Sequence, residues 1–159
     1  MTAIANVKSA APALWFGNTF ITIKLSASES ADGICVIEHR MPYGDSPPLH
    51  IHRNEDEVFH ILEGTLRFRV AGKDLTASAG ETLVAPKGLP HSYRVESAAG
   101  ARVLTITRGN DFETMLRKAG RPAEKADLPP QGAPTPEAIA MLTRLCAENG
   151  IDIVGAPLA

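Results

Sequence analysis

The sequence is poor in cysteine and contains no long apolar run. Cys35 and Cys146 are the only cysteines among 159 residues, and they lie far apart. Two isolated thiols do not make a disulfide framework and fit a reducing compartment, although a single bridge between them stays possible. No apolar stretch approaches the ~18 residues of a membrane-spanning helix, and the N-terminus shows no convincing signal-peptide core. We therefore expect a cytoplasmic protein that does not enter a membrane.

Charge is also scarce and scattered. The 16 Lys and Arg against 18 Asp and Glu give a formal net charge of −2, and the basic residues occur in ones and twos. A nucleic-acid-binding protein needs a basic patch or stripe, so we expect no nucleic acid partner. The hydrophobic share of 44% and the charged share of 21% are ordinary for a globular domain. A chain of this length can bury a core without disulfides.

The residue pattern divides the chain into three zones. Residues 1–18 are a lead-in with little periodicity, residues 19–108 are predicted to form a β-barrel, and residues 109–159 a C-terminal helical extension. Turns rich in Gly, Pro and Asp separate short β-prone runs in the middle zone, which is typical of an all-β sandwich or barrel. The predicted strands are Thr19–Leu25, Ile34–Met41, Val58–Leu62, Thr65–Val70, Thr82–Ala85, Ser92–Glu96 and Arg102–Arg108.

Helix signals follow Gly109. Asp111 is predicted to cap a short helix, Phe112–Ala119, that ends at Gly120. Thr135 and Pro136 open a second helix, with Pro at the first helical position. The apolar face of this second helix is predicted to comprise Ile139, Leu142, Leu145 and Cys146, and a last strand is predicted at Ile151–Val154.

Three histidines and one glutamate are spaced so that they can meet at one ion. On a strand, residues two apart share a face with Cα atoms ~6.6–7 Å apart, so His50 and His52 can point at one centre. The polar segment 53–56 is predicted to be a turn, and a strand beginning at Glu57 then returns a carboxylate to that centre. His91 follows a turn rich in Pro and Gly. Three imidazoles and one carboxylate predict one divalent transition metal ion (Fe, Mn, Ni, Co, Cu or Zn) rather than Ca or Mg.

These residues lie in two motifs that resemble those of the cupin family. The first, G(X)5HXH(X)3,4E(X)6G, matches Gly44, His50, His52, Glu57 and Gly64. The second, G(X)5PXG(X)2H(X)3N, matches Gly80, Pro86, Gly88 and His91, with Val95 in place of the final Asn. The resemblance implies a double-stranded β-helix, the cupin jelly-roll barrel. It also implies metal binding by the four residues, which the change at Val95 leaves undisturbed because that Asn is not a ligand.

A narrower resemblance suggests an activity. The segments PPLHIHRNEDEVFHILEG, GNDFETMLRKAG and LCAENGIDIVG are similar to small single-domain bacterial cupins grouped with quercetin dioxygenases. This implies a metal-dependent dioxygenase for a neutral aromatic or enolisable small molecule, with Glu57 as the general base for a substrate hydroxyl. Two alternatives stay open. A cupin isomerase or decarboxylase would want a cation such as Arg40 or Arg94 in the pocket, and a non-catalytic binding or sensor protein would need neither.

Side chains that share a strand face with the ligands are candidates for a substrate pocket. The predicted pocket residues are Tyr93, Phe59, Ile61, Val95 and Leu104, and core packing alone is the alternative role for each of them. Strand parity turns His60 away from the face of Glu57 and leaves His39 undecided. Tyr43 is expected either to rim the pocket or to pack in its turn.

Two further features concern the surroundings of the barrel. Glu55 and Asp56 are predicted to form a solvated turn, with Glu55 as a fallback ligand if the strand register slips. Trp15 and Phe16 are predicted to anchor either the core or a dimer. Together with exposed strand edges they favour a homodimer.

Overall fold

The computed structural model describes residues 13–159, which form two antiparallel β-sheets and two helices. The strands are β1 (Leu14–Phe16), β2 (Thr19–Leu25), β3 (Ile34–Met41), β4 (Pro48–His52), β5 (Glu57–Glu63), β6 (Thr65–Val70), β7 (Lys73–Ser78), β8 (Thr82–Ala85), β9 (His91–Val95), β10 (Ala101–Arg108), β11 (Arg121–Pro122) and β12 (Ile151–Pro157). The helices are α1 (Asp111–Ala119) and α2 (Pro136–Glu148), and a short 3-10 helix spans Ala27–Glu29. The predicted all-β jelly-roll barrel with short C-terminal helices is confirmed.

The seven-stranded sheet has the order β11-β1-β2-β3-β10-β5-β8, and the five-stranded sheet has the order β12-β4-β9-β6-β7. All seven predicted strands are present, each within one residue of its predicted ends. The predicted last strand is also present, and it pairs with β4. β1, β7 and β11 were not predicted, and β4 was expected only from the spacing of His50 and His52, without predicted bounds. β1 lies in the predicted lead-in, the first twelve residues of which fall outside the described part of the chain.

Two apolar clusters fill the barrel and its helical cover. One joins α1 and α2 to the first strands, and its members include Leu14, Ile21, Ile37, Phe112 and Leu116. The other lies between the sheets, and its members include Phe59, Ile61, Leu66, Phe68 and Val95. Phe59, Ile61, Leu66, Phe68 and Val95 alternate with more exposed residues on their strands, as the half-buried strand pattern predicts.

Trp15 is part of the fold itself. Its side chain is buried, its indole N–H donates to the backbone oxygen of Asp127, and the guanidinium of Arg121 lies over its ring. Of the two roles predicted for Trp15, the structure supports the core anchor. The homodimer remains a prediction, and the burial of Trp15 does not support it.

Within residues 13–159, neither helix has the length and apolar character that a membrane span requires.

The second helix begins as its sequence signals predict. Thr135 accepts a hydrogen bond from the N–H of Ala138, and Pro136 opens the first turn. The predicted apolar face is only partly right, because Cys146 is buried and Leu142 packs on the core while Ile139 stays about half exposed. The apolar contact of α2 with the barrel is therefore made by its C-terminal half.

The first helix is capped by a residue that the sequence did not predict for that role. The helix begins at Asp111 itself, and the carboxylate of Glu55 accepts hydrogen bonds from the backbone N–H groups of Asp111 (2.9 Å) and Phe112 (3.1 Å). Gly109 makes room for this carboxylate, since its φ is +135° and a side chain there would collide with Glu55. The predicted cap at Asp111 and the predicted solvated position of Glu55 are both wrong. A buried acceptor was needed because the first N–H groups of a helix have no partner within it.

We expect Glu55→Gln to destabilise the protein by about 1–2 kcal/mol, because a neutral amide loses the favourable interaction with the helix dipole and one of two charge-assisted hydrogen bonds. The neighbouring substitution Asp56→Asn is the control, since Asp56 is exposed and its side-chain oxygen can still accept from the N–H of Lys87. Urea unfolding followed by circular dichroism measures both. Equal midpoints for the two variants would contradict the capping role.

Candidate metal centre

The four predicted ligands converge between the two sheets. His50 and His52 lie on β4 and His91 on β9, both in the five-stranded sheet, whereas Glu57 begins β5 in the seven-stranded sheet. His50 pairs directly with His91 across the β4–β9 ladder. One ligand atom from each residue lies within 4.8 Å of the others. The predicted convergence of these side chains is present in the structure.

The carboxylate of Glu57 is the hub of this cluster. Its Oε2 atom lies 2.9 Å from Nε2 of His91, 3.2 Å from Nε2 of His52 and 4.0 Å from Nε2 of His50. All four side chains are buried except His50, which is partly exposed. The ligand atoms therefore face one another in the interior, and His50 is the one ligand with partial solvent exposure.

Backbone carbonyls orient two of the imidazoles. Nδ1 of His50 lies 2.7 Å from the oxygen of Pro48, and Nδ1 of His91 lies 3.2 Å from the oxygen of Leu89. Donation from Nδ1 to its carbonyl oxygen leaves the Nε2 lone pair of each ring available to a cation in the cluster. Both ring nitrogens of His52 are buried without a hydrogen bond. Unbonded, inward-facing nitrogens beside a carboxylate are suited to hold a cation, and the donor set fits a transition metal.

The pKa shifts within the cluster indicate which side chain is protonated when no metal is bound. Burial disfavours the Glu57 carboxylate, but His52 and His91 outweigh burial and hold its pKa well below the usual range. Burial also lowers the pKa of His52, yet Glu57 and Glu55 raise it to about 9. Burial, with repulsion from His91, lowers the pKa of His50 to about 4. Without a metal, His52 therefore carries the proton that balances Glu57.

Four of the five predicted pocket residues face the barrel interior. The rings of Phe59 and Tyr93 lie 5.9 Å apart, and that of Phe59 lies 6.3 Å from the ring of His91. Ile61 and Val95 are fully buried. The prediction for Leu104 is wrong, because on β10 it is Val103 and Thr105 that point into the barrel. Leu104 instead sits opposite Glu38 and His60 on the outer face.

The remaining candidates separate clearly. His60 lies on the outer face of β5, where its Nδ1 atom hydrogen-bonds the Thr82 hydroxyl, as parity predicts. Tyr43 is exposed, with the guanidinium of Arg94 over its ring. Arg94 pairs with Glu96, and Arg40 is exposed. Neither arginine enters the barrel. His39, which the sequence left undecided, faces inward and is buried.

Asp45 is a partly buried acid that sequence reasoning missed. Burial raises the pKa of its carboxyl to about 6, and its charge adds to burial in raising the pKa of Tyr93. Its backbone is held in the turn before β4, since its carbonyl accepts from the N–H of Val95. Asp45 directly follows the motif glycine Gly44, where no alternation of apolar and polar residues indicates which way a side chain points.

We expect the free energy of unfolding to fall by roughly 2–3 kcal/mol as the pH rises from 4 to above 6 because of Asp45. The folded pKa of about 6 exceeds the unfolded value, so the unfolded chain gives up its proton first. The folded state then has to bury a charge. Asp45→Asn should remove this slope and be the more stable protein at pH 7–8. Urea unfolding at several pH values, with exposed Asp32→Asn as control, measures it. Parallel pH profiles for wild type and Asp45→Asn would refute the assignment.

Comparisons with known proteins agree with the fold. A family model described as a cupin domain matches residues 37–107. The chain is 27% identical over 115 residues to a quercetin 2,3-dioxygenase from Bacillus subtilis, which covers 72% of this chain and 34% of that protein. The chain thus spans about a third of the length of this curated relative.

Solved structures extend the likeness of fold. A structure described as a predicted oxalate decarboxylase from Thermotoga maritima matches with a TM-score of 0.58 at 23% identity, covering 65% of this chain and 98% of that one. The cupin domain of Cnp3 from Schizosaccharomyces pombe matches with a TM-score of 0.55 at 13% identity, covering 76% and 84%. At these identities the likeness concerns the barrel alone.

Proposed function

The chain contains a cupin domain, and from this premise we propose that His50, His52, Glu57 and His91 bind one divalent transition metal ion in a dioxygenase of the quercetinase type. The cluster supports this because its Nε2 atoms and the Glu57 carboxylate already face one centre. Four protein ligands leave one or two positions open on a five- or six-coordinate metal. A metal bound there would supply the Lewis acidity and the redox contact with O2 that the reaction needs.

The residue on which the enzymatic role depends is Glu57. A substrate hydroxyl entering past the partly exposed His50 meets the Glu57 carboxylate at the centre of the cluster. The carboxylate can take the hydroxyl proton as a general base, since His52 and His91 keep it ionised. His52, His91 and the ring of Phe59 bury the reacting oxygen and exclude water from it.

The absence of buried lysine and arginine side chains favours a neutral substrate. Among the residues that the structure describes, the buried polar and charged side chains include no Lys or Arg. Asp45 and Glu57 would repel an anion from the barrel interior. An isomerase or decarboxylase for small acids would want a guanidinium or ammonium there, so this rival lacks the group that it needs.

Turnover under controlled oxygen tests the proposal. Purified protein is stripped of metal, reloaded separately with Fe, Mn, Ni, Co, Cu or Zn, mixed anaerobically with quercetin, and then exposed to O2. We expect carbon monoxide and the cleaved depside with at least one metal, detected by gas analysis and mass spectrometry, and no carbon dioxide from oxalate in parallel. Turnover of oxalate alone would favour the rival, and tight metal binding without turnover of any flavonol would favour a binding or sensor protein.

A further inference from the structure

His39 has an unpaired ring nitrogen inside the barrel. Its side chain is 6% exposed, and on β3 it lies between the core residues Ile37 and Met41. Nε2 of His39 is buried and has no hydrogen-bond partner. Among residues 13–159, only His52 in the ligand cluster and Thr107 on β10 have unpaired buried atoms of this kind. A buried unpaired nitrogen is unfavourable for folding, so its presence calls for an explanation.

One aromatic ring separates His39 from the ligand cluster. The His39 ring stacks on Phe112, with centroids 6.1 Å apart and planes within 8°, and Phe112 in turn meets the ring of His52 at 5.5 Å. The Phe112 ring therefore contacts both His39 and a predicted metal ligand. Glu57 also acts electrostatically on His39, which places its carboxylate near the imidazole.

The imidazole of His39 is neutral. Burial lowers its pKa to about 4, although Glu57 and Glu38 act in the opposite direction. A neutral imidazole offers one donor and one acceptor, which suits a hydroxyl or a carbonyl oxygen. It does not attract a carboxylate or a phosphate as an imidazolium would.

We propose that His39 is a ligand-binding residue whose Nε2 atom hydrogen-bonds a hydroxyl or carbonyl group of a neutral small molecule held at the His50–His52–Glu57–His91 cluster. This rests on the proposed function for the class of ligand. The bond satisfies the nitrogen that the protein leaves unpaired, and so it orients the ligand relative to Glu57.

Anaerobic binding to the metal-loaded protein tests the role of His39 without any turnover. The probes are quercetin and 4-nitrocatechol, both followed by their absorption spectra. The variants are His39→Leu, His39→Gln and the matched control His60→Leu, which changes a histidine on the outer face of the barrel. Metal content and the melting temperature of each variant are measured alongside.

We expect His39→Leu to weaken binding of at least one probe about tenfold or more. Its metal content and melting temperature should be no lower than those of wild type, because the substitution removes an unpaired buried group. His39→Gln, which can place a polar atom near the position of Nε2, should restore part of the affinity, and His60→Leu should change nothing.

Three results would overturn the proposal. The first is unchanged affinity in His39→Leu, and the second is a loss of folding or metal in both His39 variants, which would make His39 structural. The third is a wild-type protein that takes up neither probe. Binding without later O2 consumption would defeat the dioxygenase alone, since the binding experiment contains no O2.

Discussion

Replacing Glu57 by Gln is expected to lower quercetin turnover by about 10²–10⁴-fold, the usual contribution of a general base. The amide keeps an oxygen at the centre of the cluster, 2.9–4.0 Å from the three imidazoles in the native geometry. The neutral amide is too weakly basic to accept the proton of the substrate hydroxyl. Glu57→Gln should therefore lose activity far more than it loses metal, which elemental analysis of the purified variant measures together with kcat.

The control for Glu57→Gln is Glu55→Gln. Glu55 approaches the cluster as well, with its Oε2 atom 3.9 Å from Nδ1 of His52, but its carboxylate is engaged in capping α1. Glu55→Gln is expected to cost stability and to leave kcat within a few-fold of wild type. If Glu57→Gln retained activity within tenfold of wild type while holding its metal, Glu57 would be a ligand only, and the proton would have to go elsewhere.

The second large effect concerns the metal and stability. At a free metal concentration a hundredfold above its dissociation constant, binding should stabilise the wild-type fold by about 2.7 kcal/mol. For a chain of this size that corresponds to a rise of about 5–10 °C in melting temperature, which a chelator should abolish. The reason is that the ion replaces a buried proton and pairs with Glu57, whose charge is otherwise balanced only by neighbouring imidazoles.

His52→Ala should lose this response to metal. His52 is fully enclosed with its Nε2 atom 3.2 Å from the Glu57 carboxylate, so the substitution removes a metal ligand and also lowers the stability of the metal-free protein by removing a partner of Glu57. His60→Ala serves as the histidine control on the outer face. Thermal scans with metal and with chelator measure the shift for each protein. A metal-induced shift in His52→Ala as large as in wild type would place the metal elsewhere.

The ligand pattern was predictable because it depends on local geometry. His50 and His52 must share a strand face whatever the rest of the fold does, and the motif glycines set the turns that separate the strands. Gly88, for example, has a positive φ and donates its N–H to the carbonyl of His52, which connects the turn before His91 to the first ligand strand. Such short-range constraints are visible in the sequence.

Several features could not be predicted from the sequence, each for its own physical reason. β7 carries exposed polar residues and buries only Ala77, so it offers no apolar alternation to detect. β10 has apolar residues on both faces, and only pairing with β3 and β5 shows that Val103 rather than Leu104 points inward. The cap supplied by Glu55 joins positions 56 and 57 residues apart, a distance over which sequence periodicity has no information.

The sequence by itself determined the β-barrel class, most of its strands and the identity of four residues that could share an ion. The tertiary structure decided how those residues meet, because Glu57 reaches the imidazoles only when one sheet closes over the other. It also decided which other polar groups share the interior. Burial of His39 depends on the pairing of β3 with β10 and on the ring of Phe112 in α1, and the residue pattern around His39 was compatible with either face of the barrel.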